Sequence, residues 1–267
     1  MVYDRPVIAG IINVTPDSFY EGSRTPTISE VTPRVAKMID DGADWIDIGA
    51  YSSRPGADEV SPEEEFNRLA IGMQAIRDVN KDIPVSIDTF RADVARRAIT
   101  ELGADIINDI SGGDLDKDMF DTVAELNVPY ILMHMRGTPS TMSQLTQYDD
   151  VTADVLRELS EKINRLSLLG VNDIIVDPGF GFAKTLEQNY QLLNQLNLFE
   201  VFERPILVGI SRKSMIYRAL DCTPADALNG TTILNTISLL NGASILRVHD
   251  VAPAVEAMKL VKLTINS

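Results

Sequence analysis

The chain has 267 residues, 45% of them hydrophobic and 24% charged, with mean hydropathy near zero. That balance excludes a disordered or fibrous protein and leaves enough chain for a substantial core. A net charge of −15 argues against nucleic acid or an anionic membrane surface as partner, since both need a basic face, so any anionic small molecule must find a local cationic pocket.

The N-terminal stretch Met1-Val2-Tyr3-Asp4-Arg5-Pro6 lacks the basic and apolar regions of a signal peptide, and no apolar run approaches membrane-spanning length. Cys222 is the only cysteine, which rules out an internal disulfide and fits a reducing compartment. The expected location is the cytoplasm.

Short Val- and Ile-rich runs then alternate with longer amphipathic segments. The predicted strands are 7–13, 44–49, 84–88, 105–109, 128–134, 173–177, 205–209 and 244–248. Their apolar runs are nearly continuous, as parallel strands covered on both faces require. Val31, Val35, Met38 and Ile39 recur at helical spacing after the first strand. Ser61-Pro62-Glu63-Glu64 reads as an N-cap, a first-turn proline and a capping-box glutamate opening a helix with Phe66, Leu69, Met73 and Ile76 on one face. Gly42, Gly103 and Gly170 each stand where a helix should stop just ahead of the next strand. Eight βα units in a single domain over 1–267 point to a (β/α)8 barrel, a TIM barrel of the α/β class, with a doubly wound open sheet as the alternative.

Both folds bind ligands at the carboxyl ends of the strands. Asn13, Asp47, Asp88, Asn108, Asp109, His134, Asp177, Ser211, Lys213, Arg247 and His249 all fall at or just after such ends. Any single Asp or Asn there is ordinarily a turn former. Together they place amides, carboxylates and cations at nearly every end, and they are expected to converge on one polar patch.

The motifs around them are Asn13-Val14-Thr15-Pro16-Asp17-Ser18-Phe19, Asp47-Ile48-Gly49 leading to Ser53-Arg54-Pro55-Gly56, Ser86-Ile87-Asp88-Thr89, and Asn108-Asp109-Ile110-Ser111-Gly112-Gly113. Met133-His134-Met135, Asp177-Pro178-Gly179-Phe180-Gly181-Phe182, Gly209-Ile210-Ser211-Arg212-Lys213-Ser214 and Arg247-Val248-His249-Asp250 follow. In this order, from first strand to last, they resemble the dihydropteroate synthases, which join a pterin diphosphate to p-aminobenzoate in folate biosynthesis.

The resemblance implies a pterin site of Asp88, Asn108, Met133, Asp177, Lys213 and Arg247. A carboxylate such as Asp177 can accept from the 2-amino group and N3–H together, and Lys213 can donate to a ring acceptor. It assigns the diphosphate to Asn13, Arg54, Arg247 and His249, with a Mg²⁺ ion at Asn13, a hard cation suited to oxygen ligands. It assigns p-aminobenzoate to Phe19, Ser53, Pro55, Phe182, Lys213 and Ser214, the last at an expected helix start that attracts an anion. Asp88, Lys213, Arg247 and His249 are the implied catalytic groups, with Asp88 facing the methylene cation of an SN1-like path.

The segments 13–22 and 49–57 are expected to order over the diphosphate, and sulfonamides to compete for the acceptor site. The family pattern further implies a homodimer through helices near the C-terminus. Ala50, Tyr51 and Ser53 depart from it where glycine, glutamate and threonine are common, as does Ala183 in place of glycine. Two other readings remain: a methyltetrahydrofolate methyltransferase-like pterin barrel, which would need no phosphate cluster, and a non-catalytic pterin-binding relative.

Overall fold

The computed structural model describes residues 5–15, 27–51 and 60–265. Strands and helices alternate: β1 Val7–Asn13, α1 Ile28–Asp40, β2 Trp45–Gly49, α2 Pro62–Val79, β3 Val85–Asp88, α3 Ala92–Leu102, β4 Ile106–Asp109, α4 Met119–Leu126, β5 Tyr130–Met133 and α5 Val151–Leu168. Then come β6 Ile174–Asp177, α6 Leu186–Asn194, β7 Leu207–Val208, α7 Ser214–Tyr217, α8 Leu228–Leu240, β8 Ile245–Val248 and α9 Val251–Ile265. All strand pairs are parallel, in the order β6-β5-β4-β3-β2-β1-β8-β7. A bridge from Val176 to Ile206, just ahead of β7, joins the two edges and closes the sheet into a barrel rather than an open one.

The elements follow from local chemistry. Ser61 Oγ accepts from Glu64 N at 3.2 Å and Pro62 stands at the first helical position, as expected. The reciprocal half of that capping box is missing, because Glu64 turns to Arg68 one turn on, at 2.7 Å. A full box instead opens α6, where Thr185 and Gln188 exchange bonds. Gly42, Gly103 and Gly170 all adopt positive φ at helix ends. β7 is two residues long because Pro205, having no N–H, serves the ladder only as an acceptor, taking the Val176 N–H at 2.9 Å.

The strand period of two divides the core. Ile8, Ile12, Ile46, Ile48, Ile87 and Ile107 face outward and pack with Val31, Val35, Leu69 and Met73 of α1 and α2. Val7, Ala9, Trp45, Ile106, Ile131, Ile175, Leu207 and Ile245 face inward and fill the lower lumen as a separate apolar plug. Asp47, Asn108, Met133, Asp177 and Arg247 each stand two residues beyond a plug residue, and so share its face one layer up. The sequence thereby places a charged layer on an apolar floor.

Candidate active site at the barrel mouth

Arg247 spans the mouth. Its Nε donates to Asp47 Oδ2 and its Nη2 to Asp88 Oδ2, both at 2.6 Å. Asp47 is buried, and its other oxygen accepts from Ser86 Oγ at 2.5 Å and Asn108 Nδ2 at 3.1 Å. Both oxygens of Asp47 and two nitrogens of Arg247 are therefore engaged before any ligand arrives, which fixes the guanidinium in one orientation. Burial pushes the Asp88 carboxyl up to about 7, against the pull of Arg247 and with the push of Asp47.

On the opposite side Asp177 ends β6 with its Oδ1 accepting from Gly179 N at 2.8 Å. Lys213 comes from the loop after β7, donates to the Phe180 carbonyl at 2.7 Å, and lies 4.6 Å from the centre of the Phe182 ring. Burial lowers Lys213 to about 8 and raises Asp177, while their mutual attraction opposes both shifts. Met133, Met135, Ile110 and Phe182 form a buried apolar wall beside them. Gly209 lies beneath both cations, where an added Cβ would stand 3.8 Å from the Arg247 side chain and 3.9 Å from Lys213 Nζ. A polar edge, an apolar wall and a flat guanidinium suit a planar heterocycle with adjacent donors and acceptors.

At the rim Asn13 Oδ1 and Asp88 Oδ2 both point over the Cα of Gly49, where an added Cβ would meet each at 3.6 Å. His249 is exposed, with its backbone N–H and Nδ1 at Ser211 Oγ. Ser214 begins the four-residue helix α7. Arg212, forked onto Asp250 at 2.7 and 3.0 Å, also donates to the carbonyls of Pro224 and Ala225, tying the loop after β7 to the loop after β8.

Comparison with known proteins agrees with this layout. The model of the pterin binding enzyme family matches residues 9–249. The dihydropteroate synthase of Escherichia coli K12 is 42% identical over 265 residues, covering 98% of this chain and 93% of that one. The chain belongs to the dihydropteroate synthases. Among solved structures, Yersinia pestis dihydropteroate synthase with a sulfonamide drug complex superposes with a TM-score of 0.92 at 39% identity, covering 98% of this chain and 95% of that one. The Xanthomonas albilineans dihydropteroate synthase in complex with 7,8-dihydropteroate gives 0.88 at 34% identity, covering 100% and 96%.

Measured against what the dihydropteroate synthase motifs imply, the structure brings Asp88, Asn108, Met133, Asp177, Lys213 and Arg247 to one lumen, with Asn13, Phe182, Ser214 and His249 around its rim. Phe19, Ser53, Arg54 and Pro55 lie outside the described residues. Two strand-end residues do not join the patch. Asp109 faces outward, accepting from Tyr130 Oη at 2.7 Å, from the backbone N of Ser111 and Gly113, and from Ser111 Oγ. His134 also faces outward, with Nε2 at 2.9 Å from Glu158 Oε2 and Nδ1 at 3.0 Å from Lys184 Nζ. In each case the neighbour one residue earlier, Asn108 or Met133, takes the inward face.

Lys184, which no motif singles out, ties this outer network to the site. Its Nζ donates to the carbonyls of Gly179 and Phe182, both at 3.0 Å, so it braces the loop that carries Asp177 and Phe182. Burial lowers Lys184 to about 7. Gly179 has φ of +73°, and any Cβ there would collide with the His134 carbonyl oxygen, so the turn after Asp177 admits only glycine. Ala50, by contrast, is buried and does not adopt positive φ, so its methyl fits.

Proposed function

We propose that the chain condenses 6-hydroxymethyl-7,8-dihydropterin diphosphate with p-aminobenzoate, giving 7,8-dihydropteroate and diphosphate. The observation that carries this reading is the fixed guanidinium of Arg247, held between Asp47 and Asp88, in one lumen with the polar groups of Asp177, Asn108 and Lys213. Asp177 accepts from the pterin 2-amino group and N3–H, and Lys213 donates to the ring carbonyl side. Met133 and Phe182 wall the ring. A barrel that only carried a methylated pterin would have no use for cations above the ring, and a silent relative no use for a carboxylate beside its methylene.

The bond between the pterin methylene and the diphosphate oxygen breaks with its electron pair leaving on the diphosphate. The cation left behind is conjugated with the ring, which favours a dissociative path. Asp88, negatively charged and pinned by Arg247, faces that cation, while Arg247 and His249 neutralise the departing oxygens. The arylamine is already neutral at pH 7, so its nitrogen attacks without a strong base, and the proton it sheds can leave with the product diphosphate.

A Mg²⁺ ion at the rim belongs to the same proposal. Asn13 Oδ1, an oxygen donor at the rim beside Asp88, would serve as its protein ligand. Diphosphate and water would complete the shell. Such an ion would neutralise the leaving group.

The acceptor would bind between Phe182 and Lys213, with its carboxylate toward Ser214, and sulfonamides would compete with it. The Yersinia pestis relative is known with a sulfonamide bound. We further read the enzyme as a cytoplasmic homodimer. Helix α8 carries no charged residue and exposes Ile233, Ile237 and Leu240, while its neighbour α9 exposes Leu260 and Leu263. A helix face such as that of α8, apolar and free of charge, is ordinarily covered. Among the described residues no helix is long and apolar enough to cross a membrane.

The test is diphosphate release from the pterin diphosphate with Mg²⁺, with and without p-aminobenzoate. Release accompanied by 7,8-dihydropteroate, lost in Asp177→Ala and Arg247→Ala, is the expected outcome. Binding of the pterin with neither product would sink the reading.

A further inference from the structure

We propose that Ser211 is a positioning residue that fixes His249 as the tautomer carrying its proton on Nε2. Ser211 lies in the loop after β7 and is buried. Its Oγ stands 3.2 Å from the backbone N of His249 and 3.1 Å from His249 Nδ1. A backbone N–H can only donate, so one lone pair of the hydroxyl is already an acceptor. Among the described residues the hydroxyl proton then has one acceptor in reach, Nδ1. Were Nδ1 itself protonated, it would donate to the same oxygen and leave a buried hydroxyl proton unpaired, the costlier arrangement.

The charges around the ring agree. Burial of its inner edge and then Arg247 lower the pKa of His249, with Arg212 and Lys213 acting in the same sense; Asp250 opposes them but is forked onto Arg212. The outer part of the ring is in solvent, yet the direction is the one that matters: at pH 7 the imidazole is neutral and must choose a tautomer. Nε2 donates to no group among the described residues. With Nδ1 held by Ser211, Nε2–H is a donor at the mouth of the site. The other tautomer would turn a lone pair toward an anionic leaving group. This role for Ser211 rests on the proposed diphosphate chemistry, whereas the tautomer itself does not.

The protein has two histidines, so both rings can be read individually. His134 serves as an internal standard, because Glu158 accepts from its Nε2 and Lys184 donates to its Nδ1. The experiment is a long-range ¹H–¹⁵N correlation on the full chain labelled at histidine, at pH 7, for the unmodified protein, Ser211→Ala and Ser211→Thr, with steady-state kinetics on each. Two neutral Nε2–H patterns are expected in the unmodified protein. In Ser211→Ala only the His249 pattern should move toward a tautomer mixture. Its kcat should fall roughly tenfold with the KM for pterin diphosphate little changed, because the donor acts chiefly on charge developing in the transition state. Ser211→Thr, which keeps the hydroxyl, should restore both.

An Nδ1–H or imidazolium pattern for His249 in the unmodified protein overturns the tautomer, with no variant needed. A pattern unmoved in Ser211→Ala overturns the part given to Ser211, as does a moved pattern with unchanged kcat. The spectra are taken without substrate, so they stand or fall independently of whether dihydropteroate is the product.

Discussion

Arg247 and Asp47 are 200 residues apart in the chain and 2.6 Å apart in the structure, Nε to Oδ2. One comes from β8 and the other from β2, the two strands that flank β1, and the pairing of the last strand with the first brings them within reach on the inner face. Asp47 is 1% exposed and both its oxygens already accept from neighbouring side chains, so its part is to aim Arg247 rather than to meet a ligand.

Asp47→Asn should therefore disarm Arg247 without removing it. The buried guanidinium keeps Asp88 but loses its second charge partner, a loss of about 2–3 kcal/mol in unfolding free energy. kcat/KM should drop roughly 10- to 100-fold. Denaturant unfolding and steady-state kinetics check the two effects, and an Asn variant with unchanged kcat/KM would show that Asp88 alone orients the arginine.

A second expectation concerns pH. Burial raises Asp88 to about 7, so its charge, the form that faces a developing cation, is lost as pH falls through that value. kcat/KM should show an acidic limb near 7. Asp88→Asn, neutral at every pH, should be slower by a factor on the order of 10² to 10³ and lack the limb. A limb that persists in Asp88→Asn belongs to another group, such as the diphosphate of the substrate.

How far this could be read from sequence depends on the range of the interactions. The eight strands are legible because a parallel strand covered on both faces appears as a continuous apolar run, and the helix stops at Gly42, Gly103 and Gly170 because only a left-handed residue ends those helices cheaply. The lumen-facing residues are legible through their motifs. Asp109 and His134 mislead because strand faces alternate with every residue, and a run that is apolar on both faces carries no mark of which way its last polar residue turns. The bracing of the Asp177 loop by Lys184, His134 and Glu158 joins β5, α5 and the loop after β6. Nothing local announces it.

That brace yields a stability prediction. Burial alone would raise Glu158, but hydrogen bonds from His134 and Arg136 outweigh it and hold the carboxyl at about 2. A folded pKa below the unfolded one contributes stability above about 4.5 that disappears as pH falls toward 2. Discounted for its 28% exposed side chain, the effect is about 1–2 kcal/mol. Glu158→Gln should be less stable than the parent at pH 7 by that amount, and the two should converge near pH 2 in urea titrations. Parallel curves across that range would show that the ionised carboxylate is not what the network needs.

The uncharged outer face of α8 makes oligomeric state testable by one charge. Ile237 is 37% exposed, so Ile237→Glu costs the single chain little. It would place an unpaired carboxylate in any interface built on this face. Sedimentation should show a dimer for the parent and a monomer for the variant, with unchanged far-UV circular dichroism. A variant that sediments like the parent would put the interface elsewhere.

Among the described residues Ala183 is the one family departure with a left-handed backbone. Its φ is +50°, in the left-handed region that glycine adopts freely and alanine does not, and it sits between Phe182 and Lys184, where the loop must turn back for Lys184 to reach the carbonyls of Gly179 and Phe182. The Tyr148 hydroxyl donating to the Ala183 carbonyl at 3.0 Å helps hold the turn. Ala183→Gly relieves the Cβ clash, and the gain is partly offset by the greater entropy of glycine in the unfolded chain, leaving a stabilisation of about 0.5–1 kcal/mol. Thermal unfolding should show a rise of roughly 1–4 °C for a chain of this size. A fall instead would mean that the packing of the buried methyl outweighs the strain of its backbone.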